Sequence, residues 1–114
     1  MRIDLKLKKK KTLSVEFFPP KNEKEFTLFI ETVKELKKYD FDFISVTDSN
    51  ISAKLKHIAL SKLIKEKLRL EPLVHLTCIN NTLNEIRKIL VLLEENKIQN
   101  ILALRGDPRN FYRS

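Results

Sequence analysis

The chain has 114 residues, a formal net charge of +8, one cysteine and a single glycine, Gly106. So short a chain forms one domain at most, and 42% apolar with 33% charged residues is a foldable composition that excludes a wholly disordered tail. One cysteine excludes an internal disulfide, and Cys78 with the distant His57 and His75 has no zinc-ligand spacing, so we expect no metal site. Neither a membrane span of about 20 apolar residues nor a secretory signal is present, which predicts a cytoplasmic protein without a membrane partner.

The positive charge raises the question of nucleic-acid binding, because clustered lysines bind phosphates. Positive charge is densest at residues 8–11, within a stretch that we interpret as a basic N-terminal arm (residues 1–12) ahead of one domain (residues 13–114). The remaining cations alternate with glutamates along helical segments, which is typical of a solvated face. Without an aromatic-interleaved basic motif, we expect no nucleic-acid partner.

Four short apolar runs predict β-strands at residues 13–18, 42–47, 72–77 and 100–105, with starts 29, 30 and 28 residues apart. Between them, apolar residues recur at helical spacing. Asn22 followed by Glu25, and Thr82 followed by Glu85, are capping patterns for the first and third helices, and Ser52 is the expected N-cap of the second. A strand and a helix repeating at this period indicate parallel βα units.

The alternation within the strands distinguishes a doubly wound sheet from a barrel. The face that we expect to be covered by helices is apolar and comprises Val15, Phe17, Ile44, Val46, Val74, Leu76, Leu102 and Leu104. The opposite face is mostly polar and comprises Ser14, Glu16, Ser45, Thr47, His75, Thr77, Ala103 and Arg105. Because both faces of a doubly wound sheet are buried, a repeated polar face favours an α/β fold of the TIM (β/α)8-barrel type, of which this chain supplies the first four βα units.

Parallel βα folds carry their chemistry at the carboxyl ends of the strands and in the turns that follow. The candidate residues at those places are Glu16, Thr47, Asp48, His75, Thr77, Arg105, Gly106 and Asp107. Taken one at a time, Glu16 could be a solvated carboxylate, His75 a core histidine, and the Arg-Gly-Asp-Pro sequence an ordinary turn. Their common location favours a functional site.

Four stretches of the chain resemble the flavin-dependent methylenetetrahydrofolate reductase family. They are SVEFFPPK (residues 14–21), DFISVT (42–47), EPLVHLTC (71–78) and IQNILALRGDP (98–108), in the family's order and at its spacing. The resemblance covers nearly the whole chain and corresponds to the first half of the family's (β/α)8 barrel. It implies the reduction of 5,10-methylenetetrahydrofolate to 5-methyltetrahydrofolate, with FAD as cofactor, NADH or NADPH as electron donor, and a folate substrate.

The resemblance also implies roles for individual residues. Glu16 matches the catalytic acid that protonates the folate nitrogen, for which we expect partial burial to keep the carboxyl protonated. Asp107 matches a carboxylate beside flavin and folate, in a catalytic and substrate-binding role. FAD contacts are implied for Thr47, Asp48, His75, Arg105, Gly106 and Asp107. Nicotinamide contacts are implied for Glu16, Phe17, Phe18, Pro19, Pro20 and Lys21.

Length is the main departure from the family. A (β/α)8 barrel takes about 250 residues, and four strands leave two open edges. We therefore expect this chain to be inactive alone. The alternative is a non-catalytic half-barrel that self-associates as a homo-oligomer or docks on a partner. The sequence Asp48-Ser49-Asn50-Ile51 after the second strand differs from many family members, and this weakens the case for a flavin contact at Asp48.

Overall fold

The structure is a computed structural model that describes residues 1–47, 54–79 and 81–108, without the side chains of residues 54 and 55. Its elements, in chain order, are α1 (Ile3–Leu7), β1 (Ser14–Phe17), α2 (Glu23–Leu36), a short 3-10 helix (Lys37–Tyr39), β2 (Phe43–Val46), α3 (Lys54–Glu66), β3 (Pro72–Thr77), α4 (Leu83–Glu95) and β4 (Ile101–Leu104). The four predicted strands and the three helices between them are thus confirmed.

The four strands form one parallel sheet in the order β1-β2-β3-β4. Two apolar clusters fill the space between the sheet and the helices. One joins α2, β2 and α3 through residues such as Val33, Ile44 and Ile64, and the other joins α3, β3 and α4 through residues such as Val74 and Leu93. All three helices therefore cover the same face. The parallel α/β architecture is confirmed, and this one-sided cover is what a barrel wall requires; closure into a barrel stays a prediction.

Local capping explains where two of the helices begin. The Asn22 side chain accepts a hydrogen bond from the Glu25 amide at 2.8 Å, and the Thr82 side chain accepts one from the Glu85 amide at 3.2 Å. Each cap satisfies one of the amides that have no partner within the first helical turn. These two predicted caps are confirmed, whereas Ser52 lies outside the described residues.

Helix α4 ends in a left-handed turn that leads the chain into β4. Lys97 has a φ of 60°, its amide donates to the carbonyl of Glu94, and the Ile98 amide donates to the carbonyl of Leu93. This pair of bonds is a Schellman motif, which usually places glycine at the position that Lys97 occupies. Ile98 and Leu93 lie in the same apolar cluster, so the motif also turns the chain back onto the core.

The first residues of the chain form a helix that packs beneath the sheet, where sequence analysis indicated only a basic arm. Ile3 is buried, and its amide donates to Oδ1 of Asn100 at 2.9 Å. The Asn100 amide nitrogen donates to the carbonyl of Met1 and to Glu71 Oε1, both at 2.7 Å. One buried amide group thereby joins α1 to the amino ends of β3 and β4.

A second attachment of this segment is centred on Asp42, which immediately precedes β2. Its carboxylate accepts from the Lys6 ammonium at 2.8 Å, from the Leu13 amide at 2.9 Å and from the Lys10 ammonium at 3.0 Å. Together these donors, led by Lys6, hold the pKa of Asp42 well below its usual range. Part of the basic run therefore has a structural role.

The predicted assignment of residues to the two faces of β4 is wrong. Val74 pairs with Ile101 and His75 with Leu102, so Leu102 and Leu104 share the face of His75. Ala103 lies on the helix-covered face instead. Both alternations of this strand are apolar, so its sequence alone leaves the choice open. Ile101 packs against the second apolar cluster and thereby fixes the register.

Candidate functional site

A carboxylate and an imidazole meet on the face of the sheet that the helices leave open. Glu16 of β1 and His75 of β3 share this face, and Glu16 Oε1 lies 3.5 Å from His75 Nε2. The His75 side chain is 9% exposed and that of Glu16 61% exposed. The sheet thus brings together two of the predicted site residues, both of which are of a type that can transfer protons.

The expected burial of Glu16 is absent. The prediction relied on apolar neighbours in the sequence, namely Phe17 and Phe18, to remove the carboxyl from water. Phe17 faces the helices and packs edge-on against Phe29 with ring centroids 5.2 Å apart, while Phe18 is 79% exposed. Phe17 points away from Glu16 because successive strand residues face opposite sides of the sheet, and Phe18, which follows the end of β1, leaves Glu16 61% exposed.

Three buried polar atoms without a hydrogen-bond partner lie near the carboxyl ends of β2 and β3. Within the described residues they are Thr47 Oγ1, His75 Nε2 and Asn81 Oδ1. Buried polar atoms are nearly always paired, because an unpaired one costs about 1–3 kcal/mol. Three of them at one end of the sheet indicate a place where a polar ligand would supply the missing partners. Two of the three belong to residues that the sequence assigned to a cofactor site.

The turn after β4 is attached to the end of β3 through the backbone. The Cys78 amide donates to the carbonyl of Leu104 at 3.0 Å, and the Ile79 amide donates to that of Arg105 at 2.8 Å. Gly106 follows with a φ of 84°, and a Cβ at this position would come within 2.9 Å of Thr77 Cβ. Any side chain at position 106 would therefore collide with Thr77, and this packing within the chain is what requires glycine. The Arg105 and Asp107 side chains are exposed at the same end of the sheet.

The segment predicted to contact nicotinamide leads from β1 into α2. After the exposed Phe18, Pro19 and Pro20 are half-buried, and the Lys21 amide donates to Glu25 Oε2 at 2.7 Å. The segment is thus anchored at the start of α2. Asp48, the remaining predicted flavin contact, lies outside the described residues.

Two residues at this end of the sheet were not predicted as site residues. His57 of α3 is buried, and its Nε2 lies 3.0 Å from the carbonyl oxygens of both Val46 and Thr47. Asn81 donates to the carbonyl of Thr77 at 2.8 Å. A histidine on a helix, far from the strand ends in sequence, carries no local signal for such a position. Asn81 lies in the turn after β3, and that location could have identified it as a candidate site residue.

Within residues 1–47, 54–79 and 81–108, no three histidine, cysteine or acidic side chains are grouped so that they could hold a metal ion. Over the same ranges, no helix combines the length and apolar character needed to cross a bilayer.

Comparison with known proteins gives a consistent result. A family model described as methylenetetrahydrofolate reductase matches residues 2–112. A 5,10-methylenetetrahydrofolate reductase of Salmonella typhimurium is 40% identical over 97 residues, covering 83% of this chain and 32% of the relative. One from Buchnera aphidicola subsp. Schizaphis graminum is 37% identical over 98 residues, covering 85% and 34%. Methylenetetrahydrofolate reductase (NADH) 1 of Arabidopsis thaliana is 34% identical over 96 residues, covering 83% and 16%. The chain thus spans about a third of its bacterial relatives and about a sixth of the plant one.

Proposed function

Because the chain belongs to the methylenetetrahydrofolate reductase family, we propose that it contributes to the flavin-dependent reduction of 5,10-methylenetetrahydrofolate to 5-methyltetrahydrofolate, with NADH or NADPH as electron donor. The observation that carries the proposal is the set of three buried polar atoms without hydrogen-bond partners near the carboxyl ends of β2 and β3. One of them, His75 Nε2, lies 3.5 Å from the Glu16 carboxylate, beyond a good hydrogen-bond distance. A ligand rich in hydrogen-bonding groups, such as a flavin or a pterin, would satisfy these atoms. This chain spans about one third of the length of its bacterial relatives, so the activity of those whole proteins is proposed for it.

The residues present fit FAD as the cofactor. Thr47 Oγ1 and His75 Nε2 are buried and lack partners among the described residues, and Gly106 brings the backbone of its turn close to the end of β3. Arg105 and Asp107 flank Gly106 in this turn, and their exposed side chains carry one charge of each sign. We propose that these five residues hold the flavin. FAD, when bound, would supply hydride-transfer chemistry that amino-acid side chains lack.

Glu16 is the proposed proton donor to the folate nitrogen. It is the carboxylate on the open face at the carboxyl end of β1, and His75 lies 3.5 Å away, where a protonated ring nitrogen could orient it. Its present exposure means that the water-excluding surroundings would come from bound flavin and folate. Asp107 is proposed to stabilise positive charge on the folate, as an anion near a developing cation does.

A chimera tests the reaction directly. Residues 13–108 would replace the matched third of the Salmonella relative, and NADH- and NADPH-dependent folate reduction would be measured. We expect an active enzyme, loss of reduction in Glu16→Gln with flavin retained, and normal turnover in Glu31→Gln, a control on the exposed side of α2. An inactive chimera that folds and binds flavin, or an active Glu16→Gln variant, would contradict the proposal.

Flavin binding is tested on the 114-residue chain itself. Thr47→Val removes the buried hydroxyl without changing its volume, so FAD affinity should fall by about tenfold, the equivalent of one hydrogen bond. The exposed Thr27→Val is the matched control. We expect this chain not to turn over alone. Stoichiometric flavin together with NADH oxidation by the purified chain would show that this expectation is wrong.

We propose as the second candidate a non-catalytic half-barrel that pairs with a second copy of itself. The corrected register of β4 favours it, because Leu102 and Leu104 are 40% and 36% exposed on the open face of the sheet. Self-association would cover them. Light scattering on a size-exclusion column should then give a dimer that Leu104→Lys dissociates. A monomer at all concentrations would rule this candidate out.

A further inference from the structure

We infer that His57 is a positioning residue that holds the end of β2 and thereby orients Thr47 in the candidate flavin site. The inference rests on the proposed function for the identity of the ligand. Its structural part concerns His57, Val46 and Thr47 alone. The proposed reaction has no direct use for the buried side chain of His57.

The contacts of His57 Nε2 show that this ring nitrogen acts as a donor. The ring is 6% exposed, and Nε2 lies 3.0 Å from the carbonyl oxygen of Val46 and 3.0 Å from that of Thr47. Carbonyl oxygens only accept hydrogen bonds, so Nε2 carries the hydrogen and donates to both. A single N–H shared between two acceptors is a three-centre bond.

These two bonds explain why β2 ends where it does. In an extended strand, successive peptide groups point in opposite directions, so the carbonyls of consecutive residues cannot reach one donor. The convergence of the Val46 and Thr47 carbonyls on His57 therefore requires the chain to leave the extended conformation at Thr47. The strand accordingly ends at Val46.

Thr47 is held from two sides as a result. Its amide donates to the carbonyl of Phe17 at 3.1 Å, and its carbonyl accepts from His57. The first bond joins it to β1, one residue after Glu16, and the second joins it to α3. With both peptide groups held, the Cα–Cβ bond of Thr47 keeps a single direction, and its buried Oγ1 is left for a ligand. Preorganisation of this kind improves affinity because less motion is lost on binding.

Ser61 provides a matched control on the same helix. Its Oγ is fully buried and donates to the carbonyl of His57 at 3.0 Å, a bond from one helical turn to the preceding one. Ser61→Ala removes a buried hydrogen bond and leaves the contacts of the His57 ring with β2 in place. Any general loss of stability therefore appears in Ser61→Ala as well.

The experiment compares amide hydrogen exchange and FAD affinity in four variants of the 114-residue chain. The variants are His57→Leu, His57→Asn, His57→Gln and Ser61→Ala. The Gln side chain carries its N–H groups about as far from the backbone as His Nε2, whereas the Asn side chain is one bond shorter. Exchange is followed at the Thr47 amide and at the Ile44 amide, which donates to the Glu71 carbonyl at the other end of β2.

We expect exchange at Thr47 to accelerate on the order of tenfold relative to Ile44 in His57→Leu and His57→Asn, and to stay near wild type in His57→Gln and Ser61→Ala. FAD dissociation constants should follow the same order. Equal acceleration at both amides, or no recovery with Gln, would overturn the inference. The two proposals can fail separately. If exchange responds as expected but the wild-type chain binds no FAD, the positioning role of His57 is supported and the proposal that this chain binds flavin is wrong.

Discussion

Replacing Gly106 by alanine should destabilise the protein by about 2–5 kcal/mol, through two separate physical effects. The φ of 84° lies in the left-handed region, where a side chain costs about 1–2 kcal/mol. The new Cβ would also stand 2.9 Å from Thr77 Cβ and 3.3 Å from Ile79 Cγ2. Thr77 Cβ is attached directly to a strand backbone and cannot rotate away, so relief requires a shift of the turn or of β3. Overpacking of this kind costs about 1–3 kcal/mol.

Urea unfolding of four variants, one of them a double variant, separates the two effects. Gly106→Asn tolerates the left-handed backbone better than alanine but keeps the Cβ, so it should recover only the conformational part, about 1 kcal/mol. Thr77→Gly removes the atom that the new Cβ meets. In a double-mutant cycle, Gly106→Ala with Thr77→Gly should therefore show a favourable coupling of about 1 kcal/mol or more. A loss below about 0.5 kcal/mol in Gly106→Ala, or zero coupling in the cycle, would refute the reasoning.

Three further predictions concern stability. Lys97→Gly should raise the unfolding free energy by about 0.5–1 kcal/mol, because glycine adopts the left-handed φ of 60° without strain; urea denaturation measures it. Asn100→Asp should cost about 3–5 kcal/mol, since it sets a carboxylate 2.7 Å from Glu71 Oε1 and removes a donor, and α1 resonances should lose dispersion in NMR spectra. Asp42→Asn should lower the thermal midpoint at pH 7 and flatten its dependence on pH. Because the pKa of Asp42 is lower in the folded state than in the unfolded state, its ionised carboxylate stabilises the fold. This stabilisation is complete above the unfolded-state pKa of about 4 and is progressively lost as the pH falls below that value.

Each of these has a control with the opposite or a null expectation. Lys88→Gly, at an exposed position inside α4, should destabilise by about 1 kcal/mol. Gln99→Glu adds the same charge next to Asn100 but beside the Met1 ammonium, so little loss is expected. Glu35→Gln removes an exposed ion pair and should leave the pH dependence unchanged. Equal effects of Asn100→Asp and Gln99→Glu, a destabilising Lys97→Gly, or an acid limb unaltered by Asp42→Asn would contradict the respective reasoning.

Local chemistry along the chain was sufficient for the four strands, the three helices between them and their order, but not for α1. The caps at Asn22 and Thr82 involve amides only three residues away, and the alternation of the strands is a period of two. Such signals need no knowledge of distant residues. The positions of Glu16, Thr47 and His75 at strand ends followed from these signals, because parallel strands place their carboxyl ends along one edge.

Contacts between residues far apart in sequence settled the remaining features. The face of β4 depended on Ile101 pairing with Val74, because both alternations of that strand are apolar. The docking of α1 required Asn100, whose side chain accepts a hydrogen bond from the Ile3 amide, 97 residues away in sequence. The exposure of Glu16 depended on which rings cover the open face, and the hold of His57 on β2 depended on the packing of α3. Patterns within one turn or strand record local geometry, whereas register, burial and docking arise only when separate elements compete for the same space.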